Sequence, residues 1–188
     1  MATTADIRMG LTIKLGNELY QVVDFGQNKT ARAAAKVWAK LKSVETGKTI
    51  EHTWNSGDTI YPVRIEKKPC QFLYKDETAY YFMDNTTYEQ IALNEAQVDR
   101  PEFYKEGQEC FMLINTENDQ PISVELPDKI VLRVTYTEPG LKGDTATRAM
   151  KPAQVETGAT IMVPLFVDND ELIRVDTRTG EYVERVKA

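Results

Sequence analysis

Trp38 stands among Lys36, Lys40 and Lys42, and residues 25–48 carry Lys29, Arg32, Lys36, Lys40, Lys42 and Lys48 against Glu45 alone. Lysines spaced this way can neutralise phosphates while an indole between them stacks on a base, which is the chemistry of single-stranded RNA recognition. The same residues also suit a solvated charged face whose tryptophan is half covered by a neighbouring element. Catalysis by side chains has weaker support. His52 is the sole histidine and lies in a strand-like stretch, where it reads as a structural or surface residue. A zinc site would need Cys, His or Asp companions at ligand spacing, and none accompany it. Cys70 and Cys110 each sit near phenylalanine (Phe72, Phe111) and lack a CxxC partner, so they read as small buried hydrophobes. No nucleophile elbow, zincin, Walker or dinucleotide-binding motif occurs. Acidic residues are plentiful in the middle third, but nothing singles out a pair. The expectation is a protein that is not an enzyme and needs no cofactor or metal.

The elements that must position these cations follow from charge and periodicity. The chain has 188 residues and a formal charge of −6, which taken whole argues against a protein that coats nucleic acid. The charge is unevenly spread. Residues 1–65 hold 9 basic and 6 acidic side chains, a net of +3, whereas residues 66–128 hold 5 and 14, a net of −9, and residues 129–188 hold 9 of each. A basic first third can meet phosphate even when the total cannot. No run approaches the ~18 apolar residues of a membrane span. The N-terminal residues lack the apolar core of a signal peptide, so a cytoplasmic protein is expected.

Hydrophobic alternation is mostly of period two. Residues 11–15 alternate, Gly16 and Asn17 turn the chain, and residues 18–25 resume, which predicts an opening β-hairpin. Further short strands are predicted at residues 49–55, 70–74, 80–83, 88–92, 110–114, 122–126, 129–137, 160–163, 172–175 and 182–186. Short strands at this spacing read as small barrels. The charge breaks divide them into three β modules, at residues 1–65, 66–128 and 129–188. Residues 94–107 are the best helical candidate, with Pro101 limiting any helix to a turn or two on either side. Residues 31–42 fit two patterns. As a helix, which the alanines favour, they stack Arg32, Lys36 and Lys40 in a basic stripe. As a strand, they turn Val37, Ala39 and Leu41 inward and Lys36, Trp38, Lys40 and Lys42 outward.

Longer motifs carry a resemblance. Lys151-Pro152-Ala153, Thr157-Gly158-Ala159, Val163-Pro164-Leu165-Phe166-Val167 and Asp176-Thr177-Arg178-Thr179-Gly180-Glu181-Tyr182, ending Arg185-Val186, occur in this order. Gly140-Leu141-Lys142-Gly143-Asp144-Thr145 precedes them, and Gln120-Pro121-Ile122-Ser123-Val124-Glu125-Leu126-Pro127 and Ser56-Gly57-Asp58 lie further upstream. In order and spacing the chain resembles the bacterial elongation factor P family along its whole length. The resemblance implies an all-β chain of three consecutive small barrels, an SH3/KOW-like first domain and two OB-like domains, arranged in an L shape. It implies a monomer that binds the ribosome beside the peptidyl-tRNA and promotes peptide-bond formation at polyproline stalls by positioning.

The resemblance also implies roles for residues. The first domain's hairpin tip, which in the family reaches the CCA end of the peptidyl-tRNA, here reads Asn28-Lys29-Thr30-Ala31-Arg32-Ala33. Arg32 takes the position that the family modifies. That is similar to the arginine-type loop, which is rhamnosylated, and implies an arginine-modifying glycosyltransferase as a further partner. Lys29, Arg32, Lys40 and Lys42 would meet tRNA. Gly143, Asp144 and Thr145 match the loop that contacts the E-site codon, and Arg178, Tyr182 and Arg185 would support RNA contacts of the last domain, although fold-stabilising pairing around a β-turn explains those three equally well. Ala31 and Ala33 replace residues that are usually glycine or asparagine. Alanine is disfavoured at positive φ, so a changed tip turn is expected, as is an alternative function: a paralogue that binds RNA or ribosome without stall rescue. Asp170, also in place of a family glycine, is expected to alter the chain only locally.

Overall fold

The opening alternation forms the predicted hairpin. Strand β1 (Thr12–Leu15) turns through Gly16 and Asn17 into β2 (Glu18–Thr30), with Leu15 opposite Glu18. Gly16 adopts a φ of +63°, which a residue without a β-carbon takes at no steric cost. In this computed structural model, which describes residues 1–140 and 149–188, β2 runs on and pairs with β3 (Ala33–Ser43). The alanine-rich segment is therefore a strand. Val37, Ala39 and Leu41 are 6%, 0% and 0% exposed, and Lys36 and Lys40 are exposed. Helix propensity is outweighed because β3 is paired on both sides, by β2 and by β4 (Thr49–Asn55). Each inward residue then fills a core that an isolated helix would not have.

The remaining strands are β5 (Tyr61–Pro62), β6 (Ile65–Lys75), β7 (Tyr80–Asp84), β8 (Gln90–Leu93), β9 (Glu109–Asn115), β10 (Gln120–Glu125), β11 (Lys129–Thr137), β12 (Met150–Val155), β13 (Thr160–Pro164), β14 (Leu172–Asp176) and β15 (Glu181–Val186). They build three five-stranded sheets, ordered β4-β3-β2-β1-β5, β10-β9-β6-β7-β8 and β13-β12-β11-β14-β15. This is the all-β architecture that the alternation predicts, in three sheets. Residues 94–107 do not form an α-helix. They give two 3₁₀ turns, Glu95–Gln97 and Pro101–Phe103. Asn94 and Gln97 cap the first reciprocally. Arg100 stands at φ +51° ahead of Pro101, whose ring disfavours the right-handed helical region for the residue before it.

The chain divides into two compact units. The first comprises Met1–Lys68, Leu93–Val98 and Met112–Val124, and the second comprises Pro69–Ala92, Asp99–Phe111 and Glu125–Ala188. The first unit's core gathers Ile7, Ile13, Val22, Val37, Ala39, Leu41 and Ile60, with Trp54 packed against it. In the second unit, Phe72, Phe82 and Tyr104 meet edge to face or tilted, with ring centroids 5.4–5.8 Å apart. Leu132, Val134, Ile161, Val163, Ile173 and Val175 fill the third sheet. Asp170 takes φ +67°, the conformation a glycine would take there. Its amide donates to the Val134 carbonyl at 2.9 Å, and its carbonyl accepts from Arg133 Nη1 at 2.9 Å. The substitution is thus accommodated in place.

Candidate nucleic-acid interface

The β2–β3 hairpin carries the basic run beyond the first core. Its end is closed by Ala31 and Arg32 between the paired residues Thr30 and Ala33. Ala31, Arg32 and Ala33 all have negative φ, so the alanines close the turn without entering the region that a β-carbon disfavours. The ladder slips by one residue between Asn28 and Thr30 and again between Val22 and Asp24. Such bulges bend and twist the ribbon, which fits it to a turn of this kind.

The register separates the cations. Lys36, Trp38, Lys40 and Lys42 share the outer face of β3, where residues two apart point the same way. Lys36 stands between Asn28 on β2 and Asn55 on β4, and Lys42 between Gln21 and Thr49. Lys40 stands between Asp24 and Glu51, two carboxylates. Lys29 follows Asn28, the partner of Lys36, and so projects from the opposite face of the hairpin. Arg32 is exposed at the turn. The hairpin therefore brings Lys29, Arg32 and Lys36 to its distal end on two faces, and sets Lys40 and Lys42 back toward the core. Lys36 belongs with the distal cations although sequence spacing did not distinguish it from its neighbours; its carboxamide surroundings emerge only from pairing.

Trp38 lies opposite Gly26 and Thr53 and is half buried. Its indole occupies the space over Gly26, so the ring is partly engaged by its own sheet. His52 and Trp54 on β4 meet edge to face with ring centroids 4.4 Å apart. Trp54 packs on the core, so His52 is structural. Among the described residues, no group of three or more His, Cys, Asp or Glu could hold a metal ion.

The C-terminal candidates are tied into the fold. Arg178 Nη2 lies 3.3 Å from Asp128 Oδ2, and the Arg178 carbonyl accepts from Arg100 Nη2 at 2.6 Å. Arg185 Nη1 lies 3.2 Å from Glu171 Oε1, with its guanidinium 4.7 Å from the centre of the Phe166 ring. Tyr182 is half buried opposite Val175, and burial pushes its phenol up. Both arginines remain exposed, at 71% and 50% of their side chains. Gly143, Asp144 and Thr145 lie outside the described residues.

Comparison with known proteins gives first a class. Residues 3–60 match the elongation factor P KOW-like domain, residues 65–124 the elongation factor P OB domain, and residues 130–185 the elongation factor P C-terminal domain. Over 187 residues the chain is 55% identical to "Elongation factor P" of Amoebophilus asiaticus, covering 100% of this chain and 98% of that one. It is 48% identical to "Elongation factor P 1" of Porphyromonas gingivalis and 46% identical to "Elongation factor P" of Flavobacterium johnsoniae, in each case over the full length of both chains. The chain belongs to the elongation factor P family of translation elongation factors.

Proposed function

We propose that this protein binds the ribosome beside the peptidyl-tRNA and promotes peptide-bond formation at polyproline stalls by positioning. The observation that carries this reading is the hairpin tip: a two-residue turn presenting Arg32 to solvent at the end of a paired ribbon, with Lys29 and Lys36 behind it. Proline's nitrogen is a constrained nucleophile. A planar, permanent cation held against the backbone of the tRNA's terminal nucleotides would restrict the orientations of the reacting ends. Barrier lowering then comes from orientation, with no covalent step by the protein. Lys29 and Lys36 meet phosphate near the tip, and Lys40 and Lys42 further back. Gly143, Asp144 and Thr145 contact the E-site codon, and exposed Arg178 and Arg185, with half-buried Tyr182, support RNA contacts of the last domain. The protein acts in the cytoplasm as a monomer.

Arg32 is also the proposed acceptor of a sugar from an arginine-modifying glycosyltransferase. The alternative is a paralogue that binds RNA or ribosome without stall rescue, a reading motivated by the alanine-rich tip; full-length identity to elongation factor P relatives does not favour it. The test is a reconstituted translation reaction without this factor, programmed with a polyproline reporter. Added protein is expected to relieve the stall and Arg32→Ala to lose most of that relief; a stall unrelieved by wild-type protein overturns the proposal. Intact mass of the protein from its native host, above that of the bare chain by one deoxyhexose, is the expected sign of modification.

A further inference from the structure

The middle sheet buries two thiols side by side. Cys70 lies on β6 and Cys110 on β9, and these strands are neighbours. The Phe72 amide donates to the Gln108 carbonyl at 2.9 Å, two residues along from each cysteine in opposite chain directions. Cys70 and Cys110 therefore face each other across an antiparallel pair. Their Sγ atoms are 3.1 Å apart, and Cys110 Sγ lies 3.6 Å from the Cys70 carbonyl oxygen. Both thiols are free, and the residues are 1% and 2% exposed. Forming a disulfide of ~2.05 Å would need an approach of about 1 Å, within what a side-chain rotation and a small strand adjustment supply.

We propose that Cys70 and Cys110 form a modification site at which a two-electron oxidant of the peroxide class makes an intramolecular disulfide joining β6 to β9, reversible by thiols. One cysteine, as its thiolate, attacks a peroxide oxygen. The O–O bond breaks, a sulfenic acid forms, and the leaving oxygen departs as water when the oxidant is hydrogen peroxide. The second sulfur then attacks the first, the S–O bond breaks, and the hydroxide leaves as water with the second thiol's proton. Two thiols are oxidised to one disulfide, and one peroxide is reduced to two waters.

The surroundings set the order of rates. The hydrogen bond to Cys70, and then burial, push the Cys110 thiol up. Cys110 is therefore a poor nucleophile, and because both cysteines are buried, attack on peroxide needs a local opening of the sheet. Once one sulfur is oxidised, its partner already stands against it, so ring closure outpaces further oxidation and attack by outside thiols. The pair thus responds to sustained oxidant rather than to brief exposure. It is carried by strands other than those of the hairpin and does not depend on the ribosomal reading of the protein.

The test uses full-length reduced protein exposed to hydrogen peroxide, then denatured in N-ethylmaleimide and weighed intact. The expected product lacks two hydrogens, carries no maleimide, yields a peptide linking Cys70 to Cys110 and returns to a doubly alkylated form after dithiothreitol. Its thermal midpoint is expected to exceed that of the reduced form, because the cross-link constrains the unfolded chain. Cys110→Ser is expected to lose the linked species and keep one alkylatable thiol. Two maleimides on the oxidised wild-type chain, oxygen addition without a linked peptide, or disulfides between two copies would each overturn the proposal. The wild-type mapping decides even where the serine variant fails to fold.

Discussion

The indole of Trp38 lies across Gly26: a β-carbon built on Gly26 would stand 2.7 Å from the Cε2, Cζ2 and Nε1 atoms of the ring. A glycine inside a strand often marks such a close approach, and here it lets β2 and β3 keep their spacing beneath a large side chain on the tip hairpin. Gly26→Ala is therefore expected to displace the indole and cost about 1–3 kcal/mol, the usual range for forcing extra volume into a packed contact. Urea unfolding measures the cost. In a Trp54→Phe background the variant's fluorescence is expected to shift to the red, as Trp38 moves into water. An unshifted spectrum and unchanged midpoint would contradict the contact.

At the tip, Ala31 has a negative φ, so a glycine there brings backbone freedom to the unfolded chain and no relief to the folded one. Ala31→Gly is expected to destabilise the protein by about 0.5–1 kcal/mol with the hairpin's cross-strand amide exchange otherwise unchanged. Stabilisation by this substitution would show that the tip turn is strained as it stands.

Asp170 gives the opposite case, since it occupies φ +67°. Asp170→Gly is expected to leave stability within about 0.5 kcal/mol of wild type, and Asp170→Ala to cost about 1–2 kcal/mol, because a β-carbon without a compensating polar group is disfavoured in the left-handed region. Thermal midpoints of the two variants decide this; equal losses would refute the conformational explanation.

Asp76 caps the β6–β7 turn. Its Oδ1 accepts from the Thr78 amide at 2.8 Å, the Thr78 hydroxyl at 2.8 Å and the Ala79 amide at 2.9 Å, and its Oδ2 accepts from the Tyr81 hydroxyl at 2.9 Å. These donors, led by the Thr78 amide, hold the carboxyl at about 2. Since the folded value lies below the unfolded one, roughly 3.9, the turn's contribution to stability is complete above the unfolded value. It is lost as pH falls toward about 2. Carboxyl NMR titration is expected to find a midpoint near that value, and Thr78→Val is expected to raise it by removing the hydroxyl donor. An ordinary carboxylate midpoint in the wild-type chain would show that the turn is open in solution.

Much of this was legible in the residues, and what was not has identifiable causes. Strand Lys129–Thr137 alternates as far as a bulge between Val134 and Tyr136, and its ends fall where the sequence places them. The alanine-rich stretch stayed open between helix and strand because local propensity and local pattern disagreed there. What decides it is distant in sequence: the backbone partners on β2 and β4, and the core behind Val37, Ala39 and Leu41. Residues 94–107 are the best helical candidate in the sequence, limited by Pro101 to a turn or two on either side, and they give only two 3₁₀ turns, with an arginine at positive φ between them. For the candidate interface, spacing alone gathered the cations. Their division between two faces of the hairpin, and the carboxylates flanking Lys40, follow from a register that no single strand reveals. Cys70 and Cys110 were each legible as buried, but not as neighbours, for the same reason.

The slip between Val22 and Asp24 separates where the tip points from what the tip is made of. Val22 pairs with Leu41 and Asp24 with Lys40, so Val23 is supernumerary. A chain lacking Val23 would keep every cross-strand partnership on both sides of it, and Gly26 would still lie under Trp38. Only the elbow would straighten, because a bulge bends and twists the strand that carries it. The reach of Arg32 can thus be re-aimed without altering one side chain near it, which makes direction a variable of its own in how this hairpin meets whatever it touches.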